Sequence, residues 1–157
     1  LVLDALSSAR RLFLVATGTG IAPFASLIRD PETYDKYDTV IVTHTCRTSE
    51  ELAYGAEVVN SLKNDPLVGE FADKLSYLPT TTRTQSQHNG RITHWIKEDR
   101  LTSHFGIAPI NAETDRFMIC GSMALNKDIR AILLDRGFTE GSNAAPADFT
   151  VEKAFVG

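Results

Sequence analysis

The chain has 157 residues, enough to close one core and too few for two domains of ordinary size. Its 43% hydrophobic and 23% charged residues are close to the average for a soluble globular protein, which excludes a disordered or fibrous chain. A net charge of -4 with no Lys/Arg-rich run excludes a broad nucleic-acid-binding face. The longest apolar stretch, Leu12 to Ala16, falls far short of the roughly 18 residues that a membrane-spanning helix needs, so no membrane partner is expected. No basic-then-apolar leader opens the sequence as given, and the expected compartment is the cytoplasm. Cys46 and Cys120 lie far apart without CxxC spacing, so they predict reduced thiols and no metal site.

Leu12 to Ala16 predicts a short buried strand, and after Gly18-Thr19-Gly20 the positions of Ile21, Phe24, Leu27 and Ile28 predict a helix. Thr39 to Thr45 is β-branched and apolar enough for a second buried strand. Ser49 is expected to cap an amphipathic helix carrying Glu50, Glu51, Leu52, Val58, Val59 and Leu62. Glu50 and Glu51 there complement the helix dipole, so no paired-carboxylate chemistry is required of them. Leu75 to Pro79 predicts a third strand, the polar run Thr80 to Gly90 a surface loop, and Ile92 to Lys97 a helix. Arg116 to Gly121 repeats the pattern of an apolar strand ending in glycine, Asn126 to Asp135 is helical up to a stop at Gly137, and Phe149 to Phe155 is a last strand. Strands alternating with helices predict the α/β class, a doubly wound five-stranded parallel sheet flanked by helices. No repeat of 20–50 residues is present. Residues 1–11 look like the tail of a preceding segment.

The strongest local signal is Thr17-Gly18-Thr19-Gly20-Ile21-Ala22-Pro23-Phe24, at a strand-to-helix junction. Glycines at 18 and 20 let backbone N–H groups approach an anion closely, and the helix that follows points its unpaired N–H groups at the same place. Pro23 suits a first helical turn. The usual dinucleotide fingerprint has a third glycine where Pro23 stands, so by itself the segment is a variant match, and a plain tight turn is the competing reading.

At the end of the second strand an NAD site would place an acid for the ribose 2′-hydroxyl, whereas this strand runs Thr45-Cys46-Arg47. A cation there favours a 2′-phosphate. Arg83 and Arg91 lie on the polar loop after the third strand, the neighbouring strand in such a sheet, where they could join Arg47 in a bidentate phosphate clamp. The competing reading is three separate solvated arginines.

With TGTGIAPF, HTCRTSEELAYG, PTTTR followed by NGRI, TDRFMICGSMALN and the terminal VEKAFVG in this order, the chain resembles bacterial ferredoxin-NADP(+) reductases over nearly all of its length. The resemblance implies that residues 12–157 are the C-terminal NADP(H)-binding domain and residues 1–11 the tail of a linker from an FAD-binding barrel outside the chain. It implies that Thr17, Gly18, Thr19 and Gly20 meet the pyrophosphate and nicotinamide region, that Arg47, Arg83 and Arg91 hold the 2′-phosphate, and that Thr82 adds a hydroxyl. Cys120, followed by Gly121, falls where the family has a cysteine against the nicotinamide, Glu152 matches the glutamate that plant-type relatives carry two residues before a terminal tyrosine, and both are expected to be catalytic. Ala154 stands where plant-type relatives have an aromatic covering the flavin, and Phe155 is expected near the flavin's adenine. Read from the residues alone, Cys120 is a small buried core thiol, Glu152 an exposed strand charge and Phe155 an ordinary aromatic.

The expected function is therefore oxidoreductase electron transfer within a flavoprotein: NADP(H) is held for hydride exchange with FAD, and ferredoxin or flavodoxin is the electron partner. A monomer is expected, and an isolated domain would be inactive without its flavin half. The alternatives are an NADH-type oxygenase reductase module, against which the arginines speak, and a nucleotide-binding module without turnover. Too few cysteines are present for an iron–sulfur subunit. His44 reads as a packed, hydrogen-bonded histidine, and His88, His94 and His104 lack metal-ligand spacing. No GxSxG or GxxxxGK[ST] segment occurs, which removes the simplest hydrolase and P-loop readings.

Overall fold

Side chains alternate across a strand, so an apolar run without polar interruption must be covered on both faces. In the computed structural model, which describes residues 2–84 and 88–154, this is how the first strand is used. Leu12, Leu14 and Ala16 of β1 (Arg11–Thr17) join one buried cluster, and Phe13 and Val15 join the other. The remaining strands are β2 (Thr39–Cys46), β3 (Leu75–Thr81), β4 (Asp115–Gly121) and β5 (Phe149–Lys153). All pair in parallel in the order β3-β2-β1-β4-β5, the expected five-stranded doubly wound sheet.

On one face lie α1 (Ile21–Ile28), α2 (Pro31–Lys36) and α3 (Ala53–Ser61), with Phe24, Ile28, Tyr34 and Val58 packed against the sheet. On the other lie α4 (Ile92–Lys97), α5 (Arg100–His104) and α6 (Met123–Asp135), which bring in Trp95, Leu101, Ile129 and Leu133. Phe13 stacks on Phe117 with ring centroids 4.6 Å apart, joining neighbouring strands on this second face. Among the described residues no helix is long and apolar enough to cross a membrane.

Several boundaries differ from the sequence expectation, each for a local reason. β3 continues through Thr80 and Thr81, both fully buried, so the polar run becomes a loop only from Thr82. Paired backbone and a bond of 2.6 Å between the Thr45 and Thr80 hydroxyls make burial of these polar residues tolerable. Ser49 does not cap the third helix. The residues Ser49–Leu52 form a 3-10 turn preceded by Thr48, and α3 starts only at Ala53. α6 starts at Met123, earlier than the expected Asn126, because the Ser122 hydroxyl accepts from the Leu125 N–H at 3.2 Å and caps it. α2 and α5 were not expected. The first is opened by Asp30, which accepts from the Glu32 N–H, with Pro31 at its first position. β5 is described to Lys153, two residues short of the expected end, and Phe155 lies outside the described residues.

At the edge where the strands begin, Arg116 is buried and donates to the carbonyl oxygens of Ser7, Ser8, Ala112 and Asp115. With Leu3, Ala5 and Leu6 also buried, residues 3–8 are packed onto the domain. Arg11 pairs with buried Asp115 through two bonds of 2.6 Å. The opposite edge, where the strands end, is left to the loops.

Candidate functional site at the carboxyl ends of the strands

In this strand order the chain steps outward from β1 to β3 and then returns to place β4 beside β1. The crevice at that reversal, beyond the carboxyl ends of β1 and β4, is where open α/β sheets take ligands. The sequence places TGTG at one of these ends and CGS at the other. The Thr17 hydroxyl oxygen accepts from the Ser122 N–H at 3.1 Å and ties the two together.

The two glycines of the turn are there for different reasons. Gly18 has φ +52, a left-handed conformation that favours glycine. Gly20 has an ordinary φ of -61, but its Cα lies against β4: a Cβ there would overlap the Cys120 carbonyl oxygen and come within 2.7 Å of the carbonyl carbon. α1 begins at the next residue, so the turn delivers a helix N-terminus to the crevice. His44, buried in β2, donates from Nε2 to the Gly18 carbonyl oxygen at 2.9 Å.

The same end of β2 carries Arg47, and the loop after β3 is laid onto it by backbone bonds. The Thr82 N–H donates to the Cys46 carbonyl oxygen, and the Arg83 and Thr84 N–H groups donate to that of Arg47, at 2.9–3.1 Å. Asn89 holds the loop's return by donating to the Thr84 carbonyl oxygen at 2.8 Å, and the Trp95 indole donates to the Asn89 carbonyl oxygen. Arg47, Arg83 and Arg91 consequently surround one depression of about 490 Å³ together with Thr82, Gly90 and His94. All three arginines are exposed, and none pairs with a carboxylate among the described residues. The depression adjoins a cavity of about 460 Å³ that shares Arg47, Thr82 and Arg91 and extends to Thr17, Gly18 and Thr19. The arginines that the sequence left either converging or separate are thus brought to one side of the glycine turn.

Cys120 and Gly121 end β4 beside Glu152 and Lys153 of β5. Cys120 is buried, and burial first, then the neighbouring Glu152 charge, pushes its thiol pKa up. Asn126 cross-links the strand ends by donating to the carbonyl oxygens of Gly121 at 3.2 Å and Glu152 at 3.1 Å. Buried Ala154 donates its N–H to the Gly121 carbonyl oxygen at 3.0 Å. This group adjoins the glycine turn through the Gly20–Cys120 contact but is absent from the lining of the two depressions. Sequence reasoning missed Glu51, Thr93, Ser122 and Asp128, which line the cavity beside the glycine turn. Ser122 could have been found as a cap directly after the Cys-Gly pair. Asp128 could not, because its distance from the turn depends on how α6 packs.

Burial lowers the His44 pKa, opposed by its bond to Gly18 and by the Glu51 charge, and burial with the His104 charge lowers that of His88. A depressed folded value means that the unfolded chain takes up the proton first, below its ordinary pKa of about 6.5. The stability due to neutral histidine is complete above that pH and is lost as pH falls below it. Urea unfolding midpoints are therefore expected to fall between pH 7.5 and 5.5, and His44→Gln to make that fall shallower. An unchanged slope in the variant would refute the assignment to His44.

Comparison with known proteins agrees with this geometry. The family model described as an oxidoreductase NAD-binding domain matches residues 14–131. The flavodoxin/ferredoxin–NADP reductase of Rhodobacter capsulatus is 54% identical over the whole chain, which spans 58% of that protein. Ferredoxin–NADP reductase A of Sorangium cellulosum is 42% identical, again over the whole chain and 57% of its own length. Among solved structures, a ferredoxin NADP+ reductase from Neisseria gonorrhoeae with bound FAD and NADP superposes with a TM-score of 0.84 at 27% identity, covering 98% of this chain and 60% of that one. With its glycine turn at the sheet's reversal and its sequence matched from end to end, the chain belongs to the oxidoreductase NAD-binding domain family, as the counterpart of the C-terminal part of bacterial ferredoxin–NADP reductases.

Proposed function

We propose that this chain holds NADP(H) and presents its nicotinamide to an FAD bound by a region outside the chain, as part of a ferredoxin or flavodoxin–NADP(+) reductase. The observation that carries the reading is the convergence of Arg47, Arg83 and Arg91, without a paired carboxylate among the described residues, beside the glycine turn. Three guanidinium groups with the Thr82 hydroxyl are the donor set that a dianionic 2′-phosphate requires, and a free ribose hydroxyl would leave them unused. Thr17 to Gly20 and the N-terminus of α1 receive the pyrophosphate. A dinucleotide running from the arginines past the turn reaches the ends of β4 and β5, where Cys120, Gly121 and Glu152 stand. The Neisseria relative's bound FAD and NADP support this assignment of cofactors.

In this reading the flavin, when bound, supplies the chemistry that links two-electron hydride exchange to one-electron transfer. The residues of this chain bind and orient. The clamp fixes the adenosine end, the turn fixes the pyrophosphate, and Cys120, a buried thiol with its pKa raised further, adds no charge at the nicotinamide end. Proximity and exclusion of water are the chain's contributions. Residues 1–11 are the tail of the linker to the flavin-binding barrel, and residues 12–157 the NADP(H)-binding domain. Ala154 belongs to the flavin side of the site. The protein acts as a monomer in the cytoplasm with ferredoxin or flavodoxin as partner.

Calorimetric titration of the chain with 2′-phospho-AMP and with 5′-AMP tests the reading. Charged hydrogen bonds worth roughly 1.5–3 kcal/mol predict at least about tenfold tighter binding of the 2′-phosphorylated ligand. Equal affinities would eliminate the clamp and leave an NADH-type module.

A further inference from the structure

The imidazole of His44 lies beneath the glycine turn, in a position that the function above does not use. Its Nε2 faces the Gly18 carbonyl oxygen at 2.9 Å. That oxygen can only accept, so Nε2 carries the proton and Nδ1 is the unprotonated ring nitrogen. The Cys46 sulfur, 3.3 Å from Nε2, does not require Nε2 as an acceptor, since its own S–H is directed to the Glu51 carbonyl oxygen. Nδ1 is buried without a hydrogen-bond partner, and so is the Tyr77 hydroxyl of β3. Both face the backbone of α3 at Gly55, where a Cβ would stand 2.8 Å from Nδ1 and 3.1 Å from the Tyr77 oxygen. Acceptor and donor are thus complementary and share one space, which a side chain at residue 55 would fill.

The consequence for the turn follows from peptide planarity. In a trans peptide the C=O and N–H point in opposite directions, so anchoring the Gly18 carbonyl down onto buried His44 directs the Thr19 N–H away from it. Gly18 and Thr19 both line the cavity. The alternative orientation of this peptide would present a carbonyl oxygen to the incoming anion. Glycine at 18, already at φ +52, has the backbone freedom to adopt either orientation.

We infer that His44 is a positioning residue: as the Nε2–H tautomer, it locks the Gly18–Thr19 peptide in the orientation that makes the turn an anion site. The inference rests on the reading of that turn as the pyrophosphate site. It adds the device that selects the turn's polarity and places it in β2, away from the glycine segment itself.

The test compares His44→Gln, whose side-chain amide reaches the position of Nε2, with His44→Asn, whose amide stops short of Gly18. Each variant chain is titrated with NADP+ and with adenosine 2′-monophosphate, which lacks the pyrophosphate, while the Thr19 amide is followed by NMR. His44→Asn should bind NADP+ about tenfold more weakly with unchanged affinity for adenosine 2′-monophosphate, and His44→Gln should retain most of the affinity. The Thr19 amide should shift on adding NADP+ to the parent and Gln chains and stay still in the Asn chain. Equal losses for both ligands, or none for NADP+, would overturn the inference. If the Asn chain does not fold, the histidine tautomer of the parent chain decides, read by long-range 1H–15N NMR: Nε2–H supports the role and Nδ1–H refutes it. Failure of the parent chain to bind NADP+ would instead overturn the reading of the turn.

Discussion

Gly20→Ala is expected to destabilise the chain by about 3 kcal/mol and to abolish measurable nucleotide binding. The backbone dihedrals at Gly20 suit any residue, so the cost does not arise from conformational freedom. It arises because a methyl group there overlaps the Cys120 carbonyl oxygen and comes within 2.7 Å of the carbonyl carbon, and these are main-chain atoms of a strand paired on both sides. A side chain could rotate away; this carbonyl cannot without breaking its ladder. The turn must therefore lift off β4, taking the start of α1 and the anion-binding N–H groups with it. Urea unfolding and NADP+ titration of the same sample check both parts. A variant that keeps its stability but loses binding would mean that the close approach serves only the ligand, and a variant that keeps both would refute the packing argument.

Arg83→Ala is expected to weaken NADPH binding by roughly 1.5–3 kcal/mol, about 10- to 150-fold, while leaving NADH binding nearly unchanged. Arg83 is exposed, yet its backbone is pinned to Arg47 by two N–H bonds to one carbonyl oxygen, so little ordering is required when phosphate arrives. Arg83→Lys should recover only part of the loss, since an ammonium cannot reproduce the two-point grip of a guanidinium. The discrimination should shrink with added salt because the site is open to solvent. Paired titrations with NADPH and NADH at two salt concentrations measure all of this. Equal weakening of both nucleotides would remove Arg83 from the 2′-phosphate site.

The sequence by itself determined the α/β class, the five strands and the glycine turn at the first strand-to-helix junction. Buried parallel strands are continuous apolar runs, and a glycine pair between such a run and a helical period has few other uses. It determined that a cation stands where an NAD site needs an acid, because Arg47 follows directly on a recognisable strand. The resemblance carried by TGTG, HTCR and ICGS named the family that the comparisons then bore out. Short helices such as Pro31–Lys36 and Arg100–His104 escaped, since five or six residues hold too few turns to display a period. The start of α3 escaped because Ser49 has the chemistry of a cap without the backbone position of one. Whether the three arginines meet was decided only by the tertiary structure. Their convergence depends on the pairing of β2 with β3 and on the N–H groups of Arg83 and Thr84 closing onto the Arg47 carbonyl, a contact between residues 36 and 37 positions apart in the chain. The same holds for His44, which a strand pattern marks only as a buried polar residue. Its role appears when two neighbouring strands and a helix set Gly18, Tyr77 and Gly55 around one imidazole. Local pattern fixes which backbone a segment adopts, whereas the meeting of side chains distant in sequence is fixed by register and packing, which no short window contains.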